Sequence, residues 1–168
     1  MSIAYIGAGG NLGNVAETIR QAFAQLVQHP KVQAVLLSSL YESQPLEVPG
    51  FSSASQSQPL YINAVARLET ALTPHQLLRV LQEIEYSFGR VRSEKQWASR
   101  TLDLDIVLFD DLQLCSNDLI IPHAEMLSRD FVLVPLFEIA PNLDIAGYGA
   151  LRKALKSCEN RGLKKLSL

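Results

Sequence analysis

The chain of 168 residues contains 48% hydrophobic residues, a content typical of one globular domain with an apolar core. Its formal net charge of −2 argues against a general nucleic-acid binder, which needs a basic surface. No apolar run is long enough to span a membrane, and the N-terminus has no secretion signal. Cys115 and Cys158 lie far apart without a partner motif, so we expect no zinc site and no disulfide, in a cytoplasmic protein.

The first elements predicted are a strand at about residues 2–8, a glycine turn and a helix that begins near Val15. Asn14 is a good N-cap, Glu17 stands three residues later, and apolar residues then recur at helical spacing. The glycines of the turn miss the spacing of a dinucleotide-binding loop, and no Gly-Lys-Ser/Thr follows them. We therefore interpret them as a tight connection between strand and helix.

Two more strands are predicted, at Val32–Tyr41 and at Leu60–Glu69. Between them, Ser52–Gln58 is rich in serine and glutamine, which favours a mobile loop that could be a tolerated insertion. In the third strand, Tyr61 and Asn63 share one face. The opposite face is apolar and consists of Leu60, Ile62, Ala64, Ala66 and Leu68.

A second helix follows Thr73, since threonine is a good cap, Pro74 suits the first turn and Gln76 can complete a capping box. Gly89 ends this helix. Its predicted buried stripe is Leu77, Leu81, Ile84 and Phe88. A fourth strand at Asp103–Phe109 completes a βαββαβ order, which predicts an α+β, ferredoxin-like antiparallel sheet, with further strands and helices in the C-terminal third.

A basic loop leads into the fourth strand. Its cations surround the only tryptophan, Trp97, and are Arg90, Arg92, Lys95 and Arg100. Because side chains alternate along a strand, Asp103 and Asp105 point the same way, about 7 Å apart. The residues expected to point into the core are Leu102, Leu104, Ile106 and Leu108.

Paired carboxylates beside arginines suit a magnesium and polyphosphate site. Mg²⁺ binds one or two carboxylates together with phosphate oxygens, and arginine donates bidentate hydrogen bonds to the remaining phosphate charge. The alternative is an ordinary solvated strand face, which also alternates polar and apolar residues. Four cations are more than such a face needs, so the basic loop favours a small anionic ligand.

The arrangement Arg90-x-Arg92, Trp97 and Arg100-x-x-Asp103-x-Asp105-Ile-Val closely resembles the signature of the 6-hydroxymethyl-7,8-dihydropterin pyrophosphokinase family of folate biosynthesis. The resemblance extends over nearly the whole chain. Its other motifs are Tyr5–Gly13, Ser39–Leu46, Tyr61–Ala64, Ile84–Arg92, Ile121–His123, Arg129–Phe131 and Pro135–Pro141.

The resemblance implies a three-layer αβα sandwich in a single domain, residues 1–168, that works as a monomer. It implies diphosphate transfer from ATP to the hydroxymethyl group of the pterin, leaving AMP, with no nucleic acid or membrane as partner. Two Mg²⁺ ions held by Asp103 and Asp105 would bridge the phosphates, and one could polarise the attacking hydroxyl. Arg92 and Arg100 would neutralise the phosphates, while Trp97 would close over the site and exclude water.

The resemblance also implies two binding sets. The residues matched to the ATP site are Gln82, Glu85, Arg92, Trp97, Ile106, His123 and Arg129. Those matched to the pterin site are Ser43, Gln44, Leu46, Tyr61, Asn63 and Phe131. In the pterin site, Tyr61 and Phe131 would stack on the ring, and Asn63 would read its amide edge.

Several alternatives remain open at the level of sequence. Tyr61 and Phe131 could be core aromatics, His123 could be structural, and Glu85 could be solvated or paired with an arginine. The chain also departs from the family pattern at Gly10, Gln44, Ser93, Ser99, Asp118 and Ala124. A noncatalytic ferredoxin-like binding module is the competing interpretation, and a different metal-dependent nucleotide transferase is another.

Overall fold

The computed structural model describes residues 1–45, 59–89 and 100–167. These residues form a mixed α/β fold whose helices are α1 (Val15–Val27), α2 (Pro74–Ser87), α3 (Asp130–Ile139) and α4 (Leu151–Ser157). The strands are β1 (Ser2–Gly10), β2 (Val32–Leu37), β3 (Tyr41–Ser43), β4 (Tyr61–Thr70), β5 (Asp103–Phe109), β6 (Leu114–Cys115), β7 (Ile120–Ile121), β8 (Asp144–Ile145), β9 (Gly149–Ala150) and β10 (Lys164–Lys165). The predictions for Leu46, the serine-rich segment, Arg90, Arg92, Ser93, Lys95, Trp97 and Ser99 lie outside the described residues.

The main sheet is antiparallel and has the order β10-β3-β4-β1-β5, with β2 also paired to β4. β2 and β3 lie on the same edge of β4, because β2 pairs with its second half and β3 with its first residues. Two short hairpins, β6-β7 and β8-β9, stand apart from this sheet. The additional C-terminal strands and helices expected from the sequence are therefore present.

Helices cover both faces of the sheet. On the α1/α2 face, the buried stripes of the two helices pack on alternate residues of β1, β4 and β5. On the α3/α4 face, Leu133, Leu136 and Leu151 pack against Tyr5, Val65 and the end of β5. No helix in the described part of the chain is long and apolar enough to cross a membrane.

Local signals account for the helix starts. The Asn14 side chain accepts a hydrogen bond from the Glu17 N–H at 3.3 Å, which caps α1. Thr73 and Gln76 form the predicted reciprocal capping box at the start of α2. The predicted stripe of α2 is also confirmed, since Leu77, Leu81 and Ile84 are buried and Phe88 packs on the same core.

The predicted strand Val32–Tyr41 is interrupted. The Ser38 N–H donates to the Val65 carbonyl at 2.9 Å, and the Ser38 hydroxyl accepts the Val65 N–H at 3.0 Å. This hydroxyl replaces a backbone acceptor, so the chain can leave the sheet after Leu37 and return at Tyr41. The expectation for Leu60 is also wrong: it precedes β4, lies beyond the last residue paired with β1, and is 37% exposed.

A bulge in β5 overturns the expectation for Leu108. The pairing between β1 and β5 shifts by one residue, so that Ile6 faces Ile106 whereas Tyr5 faces Leu108. The extra residue, Val107, reverses the alternation beyond it. Leu104 and Ile106 therefore pack on the α1/α2 face as predicted, but Leu108 packs on the α3/α4 face.

The glycines interpreted as a turn belong largely to a strand. β1 continues through Gly10, and only Gly13, at φ +73°, lies in the turn proper. A Cβ atom on Gly10 would lie 2.6 Å from the Thr101 carbonyl oxygen. Close approach of two backbone segments, and not turn geometry, therefore requires glycine at Gly10.

Candidate active site

Asp103 and Asp105 lie on the α3/α4 face of β5, both half-buried, as the alternation predicts. In the neighbouring strand β1, Gly9 faces Asp103 and Gly7 faces Asp105. Because neither glycine has a side chain, the sheet beside the carboxylates is a bare backbone floor. A Cβ atom on Gly9 would approach the Asn63 Oδ1 to 3.2 Å, so this floor is also closely bordered.

Arg100 is held beside the first carboxylate. Its Nη1 donates to the Asp103 Oδ2 at 2.6 Å, and the pair is partly buried. A hydrogen bond with one ionised partner is strong, and here both partners are charged. The guanidinium has five donors, so this bond leaves Arg100 with further hydrogen-bonding capacity for a phosphate.

Asn11 fixes the backbone of Arg100. Its side-chain Oδ1 accepts the backbone N–H of Arg100 at 2.9 Å, and its backbone N–H donates to the Arg100 carbonyl at 2.9 Å. Its Nδ2 donates to the Pro59 carbonyl at 3.4 Å, just before β4. With 4% of its surface exposed, Asn11 is a buried connector between the starts of the segments that lead into β4 and β5.

Tyr61 and Asn63 stand on the same face of β4, next to the glycine floor. Burial raises the pKa of the Tyr61 hydroxyl, while Arg100 lowers it and Asp103 raises it, which places the tyrosine within the field of that ion pair. The buried Asn63 side chain donates through Nδ2 to the Ser43 Oγ at 2.9 Å and to the Tyr41 carbonyl at 3.4 Å. These contacts fix the orientation of its amide.

For Glu85, the solvated alternative is wrong, and pairing with Arg90 or Arg92 falls outside the described residues. Glu85 is only 4% exposed, and its Oε1 accepts the Leu104 N–H at 2.7 Å, between the two aspartates in sequence. β5 is the edge strand of the sheet, and this N–H points away from β1. Glu85 therefore pairs an edge donor that would otherwise need water, and it supports the strand that carries the carboxylates.

Ile106 and His123 also lie along the edge of β5. The Ile106 side chain is 2% exposed and packs in the core, so only its backbone faces the open edge. The His123 N–H donates to the carbonyl of the bulged Val107 at 2.9 Å. The His123 Nδ1 accepts the Glu125 N–H at 3.2 Å, so one ring nitrogen has a structural partner.

Arg129 and Phe131 form a group at the start of α3. The Arg129 guanidinium makes an ion pair with Glu125 and lies over the Phe131 ring, 5.7 Å from its centroid. This is the distance of a cation–π contact. Asp130, between them, is buried, and its Oδ2 accepts the Arg161 N–H at 2.8 Å.

Gln82 lies elsewhere, in a cleft of about 430 Å³ beside α2. Its other lining residues are His75, Leu78, Arg79 and Asp118. The His75 Nε2 lies 3.4 Å from the Asp118 Oδ1 across this cleft. The hydroxyl of Ser116 and the side chain of His75 lower the pKa of Asp118, one of the positions that departs from the family pattern.

The described residues thus bring part of the predicted site together. Contacts join Arg100 with Asp103 and Asn63 with Ser43, and Tyr61 lies within the field of the ion pair. Gln44 is exposed at the end of β3. Arg92, Trp97 and Leu46 lie outside the described residues.

The donor set suits Mg²⁺ that is shared with a phosphate ligand. Asp103 and Asp105 provide two hard carboxylates on one face, and no cluster of three or more His, Cys, Asp or Glu exists in the described residues. A cation held there by protein would take its remaining ligands from water or phosphate, as Mg²⁺ does at nucleotide sites.

Comparison with known proteins identifies the family. The profile of the 7,8-dihydro-6-hydroxymethylpterin-pyrophosphokinase family matches residues 5–141. The chain belongs to this family. The matched span contains Asp103, Asp105, Arg100, Tyr61, Asn63 and Phe131.

Curated relatives extend the match to the full length. The 2-amino-4-hydroxy-6-hydroxymethyldihydropteridine pyrophosphokinase of Haemophilus influenzae is 40% identical over 167 residues, 99% of either chain. The protein of the same name from Pseudomonas aeruginosa is 39% identical over 162 residues, covering 96% of this chain and 95% of its own.

Solved structures of bifunctional relatives support the pyrophosphokinase fold. One described as HPPK-DHPS in complex with substrates superposes with a TM-score of 0.75 at 14% identity, over 99% of this chain and 47% of that chain. The HPPK-DHPS of Plasmodium falciparum gives a TM-score of 0.66 at 15% identity, over 93% of this chain and 43% of its own.

Proposed function

We propose that the chain transfers the terminal diphosphate of ATP to the hydroxymethyl group of 6-hydroxymethyl-7,8-dihydropterin, giving AMP and a pterin diphosphate for folate biosynthesis. Membership of the pyrophosphokinase family supports this reaction over a noncatalytic binding module. The observation that carries the proposal is the Arg100–Asp103 pair, held on a glycine floor beside Tyr61 and Asn63. Phosphate-binding and ring-binding groups meet at this end of the sheet.

Residues of β5, together with Arg100 just before it, would bind the phosphates. Asp103 and Asp105 would hold two Mg²⁺ ions. Bound Mg²⁺ neutralises phosphate charge. Arg100 would donate to the phosphate oxygens from a position that Asn11 and Asp103 already fix, so little reorganisation is needed. The contributions expected from Arg92 and Trp97 remain predictions. In phosphoryl transfer, positioning and charge stabilisation provide most of the rate acceleration.

The pterin end falls to β4, β3 and α3. Asn63 presents an amide whose orientation is fixed by Ser43 and Tyr41, so its oxygen can accept from a donor on the ring edge. Tyr61 and Phe131 would stack on the ring, with Arg129 behind Phe131. Ser43, Gln44 and Leu46 would offer backbone groups.

The nucleoside end of ATP would lie along the edge of β5. Ile106 would contribute its backbone, the His123 N–H donates to the Val107 carbonyl of β5, and Gln82 lines the cleft beside α2. Glu85 would act chiefly through the strand that it supports. Arg129, which is also assigned to the ATP site, pairs with Glu125 and lies over the Phe131 ring.

The sheet order supports a ferredoxin-like assignment. If β2 and β3 are counted as one interrupted strand, the described core reads βαββαβ with β5 and the β2/β3 pair at opposite edges. A single domain over residues 1–168, a monomeric state and a cytoplasmic location belong to the same proposal.

The reaction is tested by chromatography of mixtures containing the purified protein, Mg²⁺, ATP and 6-hydroxymethyl-7,8-dihydropterin. AMP and pterin diphosphate should form in equal amounts, and only when protein, metal and both substrates are present. Omission of the pterin is the critical control, because a requirement for the pterin separates this reaction from ATP hydrolysis and from transfer to another acceptor. A folded protein that produces no AMP with both substrates would contradict the proposal.

A further inference from the structure

The Glu138 carboxylate, near the C-terminal end of α3, contacts three other elements. The Glu138 Oε1 accepts the Ser39 N–H at 3.1 Å and the Ser39 hydroxyl at 2.8 Å. Its Oε2 accepts the Tyr41 hydroxyl at 2.5 Å, and the Lys165 Nζ lies 3.7 Å from Oε1. Three hydrogen bonds and one ion pair therefore converge on Glu138 from the β2–β3 connection, β3 and β10.

The charges in this network are matched. Burial opposes ionisation of Glu138, but hydrogen bonds from Tyr41 and Ser39, together with Lys165, outweigh it and hold the pKa below its usual range. Burial and the Glu138 carboxylate raise the pKa of Tyr41, which keeps the phenol protonated as a donor. The contact is therefore an ionised acceptor with a neutral donor, which is stronger than a bond between neutral groups.

The strand held by Glu138 orients the amide of the candidate pterin site. Tyr41 is paired with Asn63 across β3 and β4, and its carbonyl accepts from the Asn63 Nδ2. Ser43, two residues further on β3, accepts from the same nitrogen. A shift of β3 would therefore move both acceptors that fix the Asn63 side chain.

The helix that carries Glu138 also carries Phe131, which would form the other wall of the site under the proposed function. Phe131 lies in the first turn of α3, seven residues before Glu138, or about 10 Å along the helix axis. Glu138 is thus a polar connection between the element that bears Phe131 and the strand that orients Asn63.

We propose that Glu138 is a positioning residue, which fixes the separation between α3 and β3 and thereby sets the affinity for the pterin. The inference rests on the proposed function and deepens it. Glu138 touches neither substrate nor reacting atoms in this proposal. Its effect is transmitted through Tyr41 and Ser39 to the Asn63 amide.

The test compares Glu138→Gln, which keeps the size of the side chain but removes its charge, with Tyr41→Phe, which removes one hydroxyl. Pterin affinity is measured by calorimetric titration in the presence of Mg²⁺ and a non-hydrolysable ATP analogue, and KM is measured for each substrate. We expect Glu138→Gln to weaken pterin binding about tenfold, on the scale of one lost hydrogen bond to a charged group. Tyr41→Phe should have a smaller effect in the same direction, while the KM for ATP stays unchanged.

A core variant that loses at least as much stability as Glu138→Gln separates a positioning role from general destabilisation. Leu26→Ala removes buried side-chain atoms from α1, on the opposite face of the sheet. It should lower the melting temperature at least as much as Glu138→Gln without changing the pterin affinity of the folded protein. Equal weakening of pterin binding by Leu26→Ala, or unchanged pterin binding in Glu138→Gln, would overturn the inference.

Asn63→Ala distinguishes failure of the inference from failure of the site. If Asn63→Ala weakens pterin binding and Glu138→Gln does not, the site assignment stands and the positioning role is wrong. If Asn63→Ala binds pterin as tightly as the unchanged protein, the site assignment is wrong, and the role of Glu138 fails with it.

Discussion

The two faces of the main sheet are built from the same strands but serve different purposes. On the α1/α2 face, β1 contributes Ala4, Ile6 and Ala8, and the helices bury all three. On the α3/α4 face, the alternate residues are Tyr5, Gly7 and Gly9, so side-chain bulk falls to nothing towards the end of the strand. One face is filled with apolar side chains, whereas part of the other, called the open part here, receives no side chain from Gly7 and Gly9 of β1.

The open part is where polar groups collect. The sheet is antiparallel, so the last residues of β1 lie beside the first residues of β4 and β5, at one end of the strands. Tyr61, Asn63, Asp103 and Asp105 enter the α3/α4 face there. The period of two within each strand, together with this shared end, places the core and the candidate ligand site on opposite faces of the sheet.

The largest expected effect is on the open face. Asp103→Ala or Asp105→Ala should reduce turnover on the order of 10³-fold or more, because each removes a proposed ligand of the Mg²⁺ that would stabilise phosphate charge. The melting temperature should change little, since both carboxylates are only half-buried. Asp144→Ala, on the exposed start of β8, is the matched control and should leave turnover unchanged. Loss of folding in the β5 variants would instead assign the carboxylates a structural role.

The opposite face should give the opposite result. Leu77→Ala removes a fully buried side chain from α2 and should lower the free energy of unfolding by about 2–5 kcal/mol. The KM values of the folded protein should remain within about twofold of the unchanged protein, because Leu77 packs on the α1/α2 face. Chemical denaturation and steady-state kinetics on the same preparation measure both quantities. A selective loss of substrate affinity would show that the two faces are not independent.

Asn11 should give an intermediate effect because it is buried but acts at the site. Asn11→Ala removes the acceptor of the Arg100 N–H and should lower kcat/KM about 10–100-fold, as loss of an outer-shell partner does. Asn11→Asp keeps that acceptor and loses the donor to the Pro59 carbonyl, so it should retain more activity than Asn11→Ala. Equal losses in the two variants would show that the contact with Arg100 is not the important one.

The sequence predicted the elements with strong local signals. Asn14, Thr73 and Gln76 marked the helix starts, and the alternation in β5 placed Asp103 and Asp105 on one face. These features depend on residues a few positions apart, which a single sequence displays directly. The order of motifs predicted the family, and the matching family profile confirmed that family.

The features that were missed depend on contacts between distant parts of the chain. The break at Ser38 requires the Val65 backbone, and the bulge at Val107 requires the register with Tyr5 and Ile6. Glu85 and Asn11 act through backbone groups 19 and 89 residues away. No local pattern encodes such partners.

One missed residue did leave a signal in the sequence. Glu138 is the only charged residue between Phe131 and Ile139, a stretch of α3 that is otherwise apolar. A charged residue in an apolar stretch either faces solvent or is held by polar partners, and the partly exposed Glu138 carboxylate has such partners. The identity of its partners, Ser39 and Tyr41, could come only from the folded structure.

The effect of acid on the stability contributed by Glu138, at the border of the α3/α4 face, should be the smallest of these. The folded-state pKa of Glu138 lies below its ordinary value of 4.5, so its network adds stability above about pH 4.5 and loses it as pH falls through the folded-state value. The unfolding midpoint should therefore fall more steeply with acid in the unchanged protein than in Glu138→Gln, measured by thermal melts from about pH 7 down to pH 3. The difference should be modest, because the Glu138 side chain is 30% exposed and partly screened by solvent. Parallel curves for the two proteins would mean that Glu138 carries no charge-dependent stability, and its link between α3 and β3 would then rest on packing alone.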